Sequence, residues 1–446
     1  MVFAVKLHLF RVSNSNNEVV FSKGALQKLG ATPGEHLSFK IGACHRFSAK
    51  AAVSTDRRAA LGLPSDVFDE LGLALIDGLH VKREGDTIHI GPTIGIMGAG
   101  KFDPERRHQQ DMLTYAQTQG YIAFLFSPED YNWATNTITG ETMPGHRQPG
   151  LPLPTAIYNR IHTRDEEHKL RVEAIKNRMR ALGSHIYNPG FFDKWEVHEH
   201  LMRGQKLRKY LPETHRAPTP ALLKKILGRH HSAYLKPVDG RGGKMLMRLT
   251  KREKGYRLQW LTDLSCPHAD FVQLEDAFEF AFCHTSLDQY LVQQSLDFSS
   301  FDGRSVDCRV QMHKDISGTW RCLMIGPRVC AHGCISSHFS QGADIVGTDD
   351  YFINAFGKKA EAVKAAVEEC GFAIAHRMDE YHTSPIGELG LDVGIDKSGH
   401  PKLLEINAKP GRMIFLDPSH AEARVTTLEA SIDYGAFLSG FGEDPE

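Results

Sequence analysis

The chain has 446 residues, 41% hydrophobic and 24% charged, a size and balance that call for two to four packed domains and argue against extended disorder. Its 53 lysines and arginines nearly cancel its 54 aspartates and glutamates, so no global field draws it to nucleic acid or anionic lipid, and any anion site must be local. No apolar run reaches the roughly 18 to 20 residues that cross a bilayer as a helix, the start lacks a secretory pattern, and the eight cysteines show no regular short spacing, so a soluble or peripheral cytoplasmic protein is expected.

The first 92 residues contain a weak internal repeat. Ser22-Lys23-Gly24-Ala25-Leu26-Gln27-Lys28-Leu29-Gly30, followed by Gly34-Glu35-His36-Leu37-Ser38-Phe39, is echoed by Pro64-Ser65-Asp66-Val67-Phe68-Asp69-Glu70-Leu71-Gly72 and Gly78-Leu79-His80-Val81-Lys82. Each unit reads as a short helix, a glycine turn and a strand, and two of them would close into a small pseudo-symmetric barrel resembling double-psi barrels, with a scaffolding or docking role. Thr93-Ile94-Gly95-Ile96-Met97, a helix from Pro104 to Gln119 and the apolar run Tyr121–Phe126 then predict a βαβ beginning. Gly95, Gly98 and Gly100 do not complete the G-x-G-x-x-G register of a dinucleotide site. Residues 135–154 read as a loop rich in Thr, Gly and Pro before a strand ending at Ala156–Arg160. From about residue 170 the chain reads helical and basic, and from Ala233 strands alternate with helices.

Two segments carry chemistry. Leu391–Asn407 reads as a hairpin about the turn Lys397-Ser398-Gly399-His400. Glu405 and Asn407 share a face because strand side chains alternate, and Asp392 can lie opposite them. Three hard oxygen ligands with room for water and phosphate oxygens suit magnesium, although an amphipathic hairpin with a polar outer face is the commoner arrangement. Ala408-Lys409-Pro410-Gly411 would add a cation beside a bound triphosphate. Earlier, Tyr234-Leu235-Lys236-Pro237 runs into Asp239-Gly240-Arg241-Gly242-Gly243-Lys244, where glycines would let backbone amides approach phosphate, without the order of a P-loop. Cys330-Ala331-His332-Gly333-Cys334 matches no standard zinc finger and reads as buried small residues.

Phe191-Phe192-Asp193-Lys194-Trp195 opens a helix, and Tyr290-Leu291-Val292-Gln293-Gln294 reads as a buried strand ending in amides. Lysine, lysine with glycine loop, amide strand and acid-acid-asparagine set, in this order over roughly residues 93–440, resemble the ATP-grasp superfamily. The resemblance is closest to the YheC/YheD endospore coat-associated group, through Tyr158-Asn159-Arg160-Ile161, Asp193-Lys194-Trp195, Tyr234–Pro237, Asp307-Cys308-Arg309-Val310, Gly387–Asp392 and Glu405–Gly411.

With the barrel read from the repeat, the resemblance implies an α/β (α+β) chain: after the double-psi-like small β-barrel over 1–92, a pre-ATP-grasp βαβ domain over 93–190 and an ATP-grasp domain over 191–446. Within the last, a nucleotide-binding lid would span about 215–295 and a metal-binding part about 296–440. Lys194 and Lys236 would hold the α and β phosphates, Gly240, Gly242 and Gly243 would cover the triphosphate, and Gln293 and Gln294 would face adenine. Asp392, Glu405 and Asn407 would hold Mg2+, with Mn2+ as an alternative. Arg309 and Arg328 would meet the transferred phosphoryl group, unless such an arginine is instead held in a structural pair by a nearby acid such as Asp307. His338, Gln341 and Gly342 would lie in a mobile loop that holds substrate or merely covers the surface. The implied activity is an ADP-forming carboxylate–amine ligation through an acyl phosphate, with ATP, a carboxylate and an amine such as an amino acid or peptide as partners. Association with the spore coat is implied too, as a catalytically weak ATP-binding component in the alternative reading. Neither a membrane nor a nucleic acid is an expected partner.

Overall fold

The structure is a computed structural model that describes residues 4–12, 18–54, 60–70, 77–98, 105–240, 245–262 and 265–443. Seven strands, β1 (Val5–Val12), β2 (Glu18–Ser22), β3 (His36–Ile41), β4 (His45–Ser54), β5 (Ala60–Pro64), β6 (Leu79–Glu84) and β7 (Thr87–Gly91), close into a barrel in the order β1-β5-β2-β4-β3-β7-β6. The two sequence echoes supply its helices, α1 (Lys23–Leu29) and α2 (Ser65–Glu70). Ser22 caps α1 by accepting from the Ala25 amide, and Gly30 ends it in the left-handed conformation that costs glycine least. Alternate strand residues such as Leu7, Leu9, Phe21, Phe39, Leu61 and Ile88 fill the interior, and closure leaves no strand edge unpaired.

A second sheet follows. Parallel β8 (Thr93–Met97) and β9 (Ile122–Phe126) flank α3 (Arg106–Thr118), which is the expected βαβ beginning. With β10 (Tyr131–Asn132), β11 (Thr137–Met143), β12 (His146–Pro152), β13 (Ala156–Asn159) and β14 (His185–Tyr187) the order is β10-β11-β9-β8-β13-β14, β12 pairing with β11. The expected loop over 135–154 is therefore corrected: most of it is the β11–β12 hairpin, turned at Pro144-Gly145, where Met143 faces His146 and Gly145 has φ 79°. Pro then Gly with positive φ is turn chemistry, and the composition of the segment hid its strand alternation. Helices α4 (Arg164–Glu167) and α5 (Leu170–Ala181) lead to β14.

After α6 (Lys194–Arg203), a third sheet is antiparallel, ordered β15-β20-β16-β17-β18-β19. Its strands are β15 (Thr214–Arg216), β16 (Ser232–Pro237), β17 (Met247–Lys251), β18 (Tyr256–Trp260), β19 (His268–Phe271) and β20 (Tyr290–Gln294), packed on α7 (Pro220–His230) and α8 (Leu274–Phe282). The fourth sheet holds β21 (Ser300–Phe301), β22 (Arg304–Lys314), β23 (Trp320–Val329), β24 (Asp344–Ile345), β25 (Glu388–Ile395) and β26 (Pro401–Asn407), in the order β24-β23-β22-β25-β26 with β21 on β22. Helices α9 (Thr348–Phe356) and α10 (Ala360–Tyr381) cover one of its faces, with Val310, Met312, Leu389 and Leu391 against Val363, Val367 and Ile374. The alternate residues, Arg309, Gln311 and His313 on β22 and Glu388 and Asp392 on β25, therefore belong to the other face.

The second and fourth sheets are joined tightly. Helix α11 (Ala421–Ala436) returns to the second sheet, where Leu428, Ile432 and Tyr434 share a core with Ile94, Tyr158 and Tyr187. Asn188, in the left-handed region at φ 52°, donates to the carbonyls of Glu388 (2.7 Å) and Ala408 (2.5 Å) and accepts from the Gly387 amide (2.9 Å). Buried Glu388 takes the Tyr158 hydroxyl and ion pairs from Arg160 (3.3 Å) and Arg412 (2.6 Å). Burial alone would raise the Glu388 carboxyl, but Arg412 and then His313 and Arg160 hold it below the ordinary range. Among the described residues no helix is long and apolar enough to cross a membrane.

Gly120, between α3 and β9, has φ 78°, and a Cβ there would sit 2.2 Å from the Gly78 carbonyl oxygen of the barrel. Gly120→Ala is expected to cost at least about 1–3 kcal/mol through strained backbone alone. The check is a lower urea midpoint with an unchanged denaturant slope.

Candidate functional site

Between the third and fourth sheets lies a cleft of about 270 Å³. Lys194, Lys236, Gly240, Gln293, Gln294, Arg309, Arg328, Asp392, Glu405 and Asn407 all line it, so side chains more than 200 residues apart in sequence meet in one place. Gly242 and Gly243 lie outside the described residues.

Strand register builds the floor. Asp307 stands directly opposite Arg328 in the β22–β23 pair, and Arg309 directly opposite Asp392 in the β22–β25 pair. Arg328 Nε donates to Asp307 (2.8 Å), and Arg309 Nε (2.8 Å) and Arg328 Nη2 (3.0 Å) converge on Asp392 Oδ1. The alternative that a nearby acid such as Asp307 holds one of these arginines in a pair describes both of them: Asp307 holds Arg328, and cross-strand position gives Arg309 to Asp392. Burial alone would raise the Asp392 carboxyl, yet the two guanidiniums hold it down at about 2. Next to it in the β25–β26 ladder stands Glu405, and Asn407 reaches Asp392 Oδ2 at 3.5 Å. The arginines thus take one Asp392 oxygen, leaving the other beside Glu405 and Asn407. Hard oxygens on adjacent strands, with one carboxylate fixed from behind, fit a small divalent cation.

Lysines close the other side. Asp193 caps α6 by accepting from the amides of Trp195 (2.8 Å) and Glu196 (2.9 Å), which places Lys194 as the first helical residue. Its Nζ donates to the carbonyl of Gly240 at 2.7 Å and lies 3.6 Å from Glu405. Lys236 Nζ, half-buried at the end of β16, donates to Gln293 Oε1 (2.5 Å) and to the Leu404 carbonyl (3.4 Å). Burial, with Lys194 alongside and only partly offset by Glu405, lowers the Lys236 ammonium to about 8. The lining basic residues Lys194, Lys236, Arg248, Arg309, Arg328 and Lys409, the last already paired with Glu167, outnumber the carboxylates Asp307, Asp392 and Glu405, so the cleft as a whole favours an anion.

Three expectations shift. Gln293 and Gln294 were expected to face one base, but neighbours on a strand point to opposite faces. The Gln293 amide holds Lys236 and Thr214, while the Gln294 side chain accepts from the Glu213 amide at 2.6 Å. Lys409, expected beside a triphosphate, turns inward: buried against Phe191, it pairs with Glu167 at 2.7 Å and donates to the Ile161 carbonyl. Residues 336–342 are docked rather than a plain surface loop. His338 lines the cleft facing Arg328 and Asp392, the Ser337 hydroxyl donates to Asp307, and the Gln341 amide donates to the Thr262 carbonyl (2.8 Å) across the cleft. Sequence reading passed over Arg248, which faces Tyr234 in the β16–β17 pair; its only signal was an arginine alternating with Met247 and Leu249.

With this geometry in hand, the chain matches the family described as YheC/D like ATP-grasp over residues 183–438. The class defined by the fold and site is thus ATP-grasp. The chain belongs to the YheC/D-like ATP-grasp family. It is 26% identical to the endospore coat-associated protein YheD of Bacillus subtilis (strain 168), over 97% of this chain and 96% of that protein. It is also 26% identical to YheC of the same organism, over 73% and 90%. Among solved structures, D-alanyl-alanine synthetase A from Vibrio cholerae O1 biovar eltor str. N16961 is similar at 14% identity and TM-score 0.44, over 79% of this chain and 98% of that one. The ATP-grasp ligase PsnB, complexed with a phosphomimetic variant of a minimal precursor, Mg and ADP, is similar at 14% identity and TM-score 0.43, over 78% and 99%.

Removing the Lys409 ammonium would leave Glu167 one of its buried partners short, with Lys176 (3.3 Å) and the Asn159 amide remaining. Lys409→Met is expected to cost about 1–3 kcal/mol in urea denaturation. A wild-type midpoint would show instead that this lysine is not a strut of the fold.

Proposed function

We propose that the chain is a MgATP-dependent ligase that activates a carboxylate as an acyl phosphate for attack by an amine. One observation carries the reading: Asp392, clamped by two arginines, stands beside Glu405 and Asn407 in the same cleft that Lys194 and Lys236 enter from the opposite wall. Membership of the ATP-grasp family supports it.

On this reading the substrate carboxylate attacks the γ-phosphorus of ATP, ADP leaves, and an amine then displaces phosphate from the acyl phosphate. Magnesium, held by Asp392, Glu405 and Asn407, would neutralise phosphate charge and orient the polyphosphate. Lys194 and Lys236 hold the α and β phosphates. Arg309 and Arg328, already fixed by Asp392 and Asp307, present guanidinium groups where charge gathers on the transferred phosphoryl group, without reorganisation during the step. Gly240, which accepts from Lys194, lines the cleft. Gln294, Ser295 and Leu296 line the cleft where the purine edge would lie, and the Gln294 side chain is taken by the Glu213 amide. No protein nucleophile takes part.

The names of the curated relatives favour a second reading, in which the chain binds MgATP as a coat-associated component and turns it over weakly. Phosphate release screened against amino acids and small peptides separates the two, since tight MgATP binding without release across the panel selects the second. For the ligase, Glu405→Ala is expected to lower substrate-stimulated ADP release by about 10²-fold or more while circular dichroism stays native. Release at the wild-type rate in that variant would overturn the reading.

The Lys236 ammonium carries a second test. A polyanion favours its charged form, which the free protein loses as pH rises through about 8. ATP affinity measured by calorimetry is therefore expected to be level below that pH and to weaken by up to about tenfold per unit above it. Lys236→Arg, charged throughout, should flatten the curve, and an equally steep fall in that variant would assign the titration to another group.

A further inference from the structure

The two walls of the cleft also touch away from the charged floor. Cys266 lies between β18 and β19 of the third sheet, and Cys334 lies in the segment that follows β23 of the fourth. Their sulfurs are 2.9 Å apart, and both residues are partly buried. The contact sits in a small docking surface between the walls. The Ile335 amide points at Cys266 Sγ (3.4 Å), the Tyr234 hydroxyl donates to the Ile335 carbonyl (3.2 Å), and the Gln341 side chain reaches the Thr262 carbonyl (2.8 Å). A disulfide of about 2.05 Å would need only a small approach from here. The segment that carries Cys334 also carries Ser337 and His338, which face Asp307 and the cleft.

We propose that Cys266 and Cys334 are a modification site, forming a reversible disulfide that fastens the third sheet to the segment after β23 and holds the cleft shut. Cys334 as thiolate attacks one sulfur of a low-molecular-weight disulfide such as oxidised glutathione. That S–S bond breaks, one glutathione thiolate leaves, and a mixed disulfide remains on Cys334. Cys266 then gives up its proton and attacks the Cys334 sulfur, expelling the second glutathione thiolate. Two protein thiols are oxidised, one small disulfide is reduced to two thiols, and the two protons end on the released glutathione. Burial, with the neighbouring Cys334 sulfur, pushes the Cys266 thiol up to about 12 and leaves it little thiolate, so Cys266 enters only in the intramolecular step, where its sulfur already stands 2.9 Å from its target. Lids of this kind must open to exchange a ligand, so a covalent tie across the cleft would stop exchange. That the trapped ligand is a nucleotide rests on the reading above; the bond does not.

The test uses the full chain in oxidised glutathione, with peptide mapping by mass spectrometry and amide hydrogen exchange. A 266–334 linked peptide is expected in most molecules, reversed by dithiothreitol, absent in Cys266→Ser and present in Cys283→Ser, whose thiol is exposed and elsewhere. Exchange of the β17–β19 amides should slow about fivefold or more on oxidation of the wild type and not of Cys266→Ser. Glutathione adducts on Cys334 without the link, or a link that leaves exchange unchanged, would overturn the proposal. A linked, slowly exchanging chain that retains no preloaded ATP would support the disulfide and count against the nucleotide reading.

Discussion

Asp392 accepts from Arg309 and Arg328 through a single carboxylate oxygen, and this three-residue contact ties β22, β23 and β25 together at the floor of the cleft. Each arginine is almost wholly buried and needs a partner, because an unpaired buried guanidinium is far costlier than a missing apolar contact. Slipping β22 or β23 by one residue would move its arginine to the face packed by α10, and slipping β25 would carry Asp392 away from both. Packing on one face and charge pairing on the other therefore demand the same register. The second Asp392 oxygen is left beside Glu405 and Asn407 as a by-product of that constraint.

The opposite wall is built on weaker terms. Lys194 and Lys236 rest on carbonyls and an amide rather than on close carboxylate pairs, and the ammonium of Lys236 is eased toward neutrality by its surroundings. Such groups gain more from an arriving polyanion than groups already neutralised do. Lys409 differs in its partner rather than in its ionisation: burial pushes its ammonium down to about 7, but its contact with Glu167 at 2.7 Å makes it part of the fold, although only two residues separate it from Asn407.

Much of this was legible in the sequence, for reasons that differ by element. The Leu391–Asn407 hairpin could be read because apolar residues alternate with Asp392, Glu405 and Asn407 around a glycine turn, and alternation is a local signal. The barrel could be read from its repeat, since each half carries the same short helical pattern followed by a glycine and a strand. The β11–β12 hairpin was hidden because Gly, Pro and Thr dominate both strands and loops, leaving only Pro144-Gly145 as a cue. The side-chain directions of Gln294 and Lys409 were beyond local reading, as each is settled by a partner far along the chain: Glu213 for one and Glu167 for the other. Cys334 is the extreme case, because its nearest sulfur lies 68 residues away on another sheet.

The return of α11 to the second sheet has a bearing on synthesis. Ile94, Tyr158 and Tyr187 are made early but share their core with Leu428, Ile432 and Tyr434. While the chain is still emerging from the ribosome, the barrel can complete its interior as soon as Ile122 of β9 is made, whereas the β8–β14 sheet must keep an oily face waiting through more than 200 residues of translation. That half-built face is where a chaperone would be needed most.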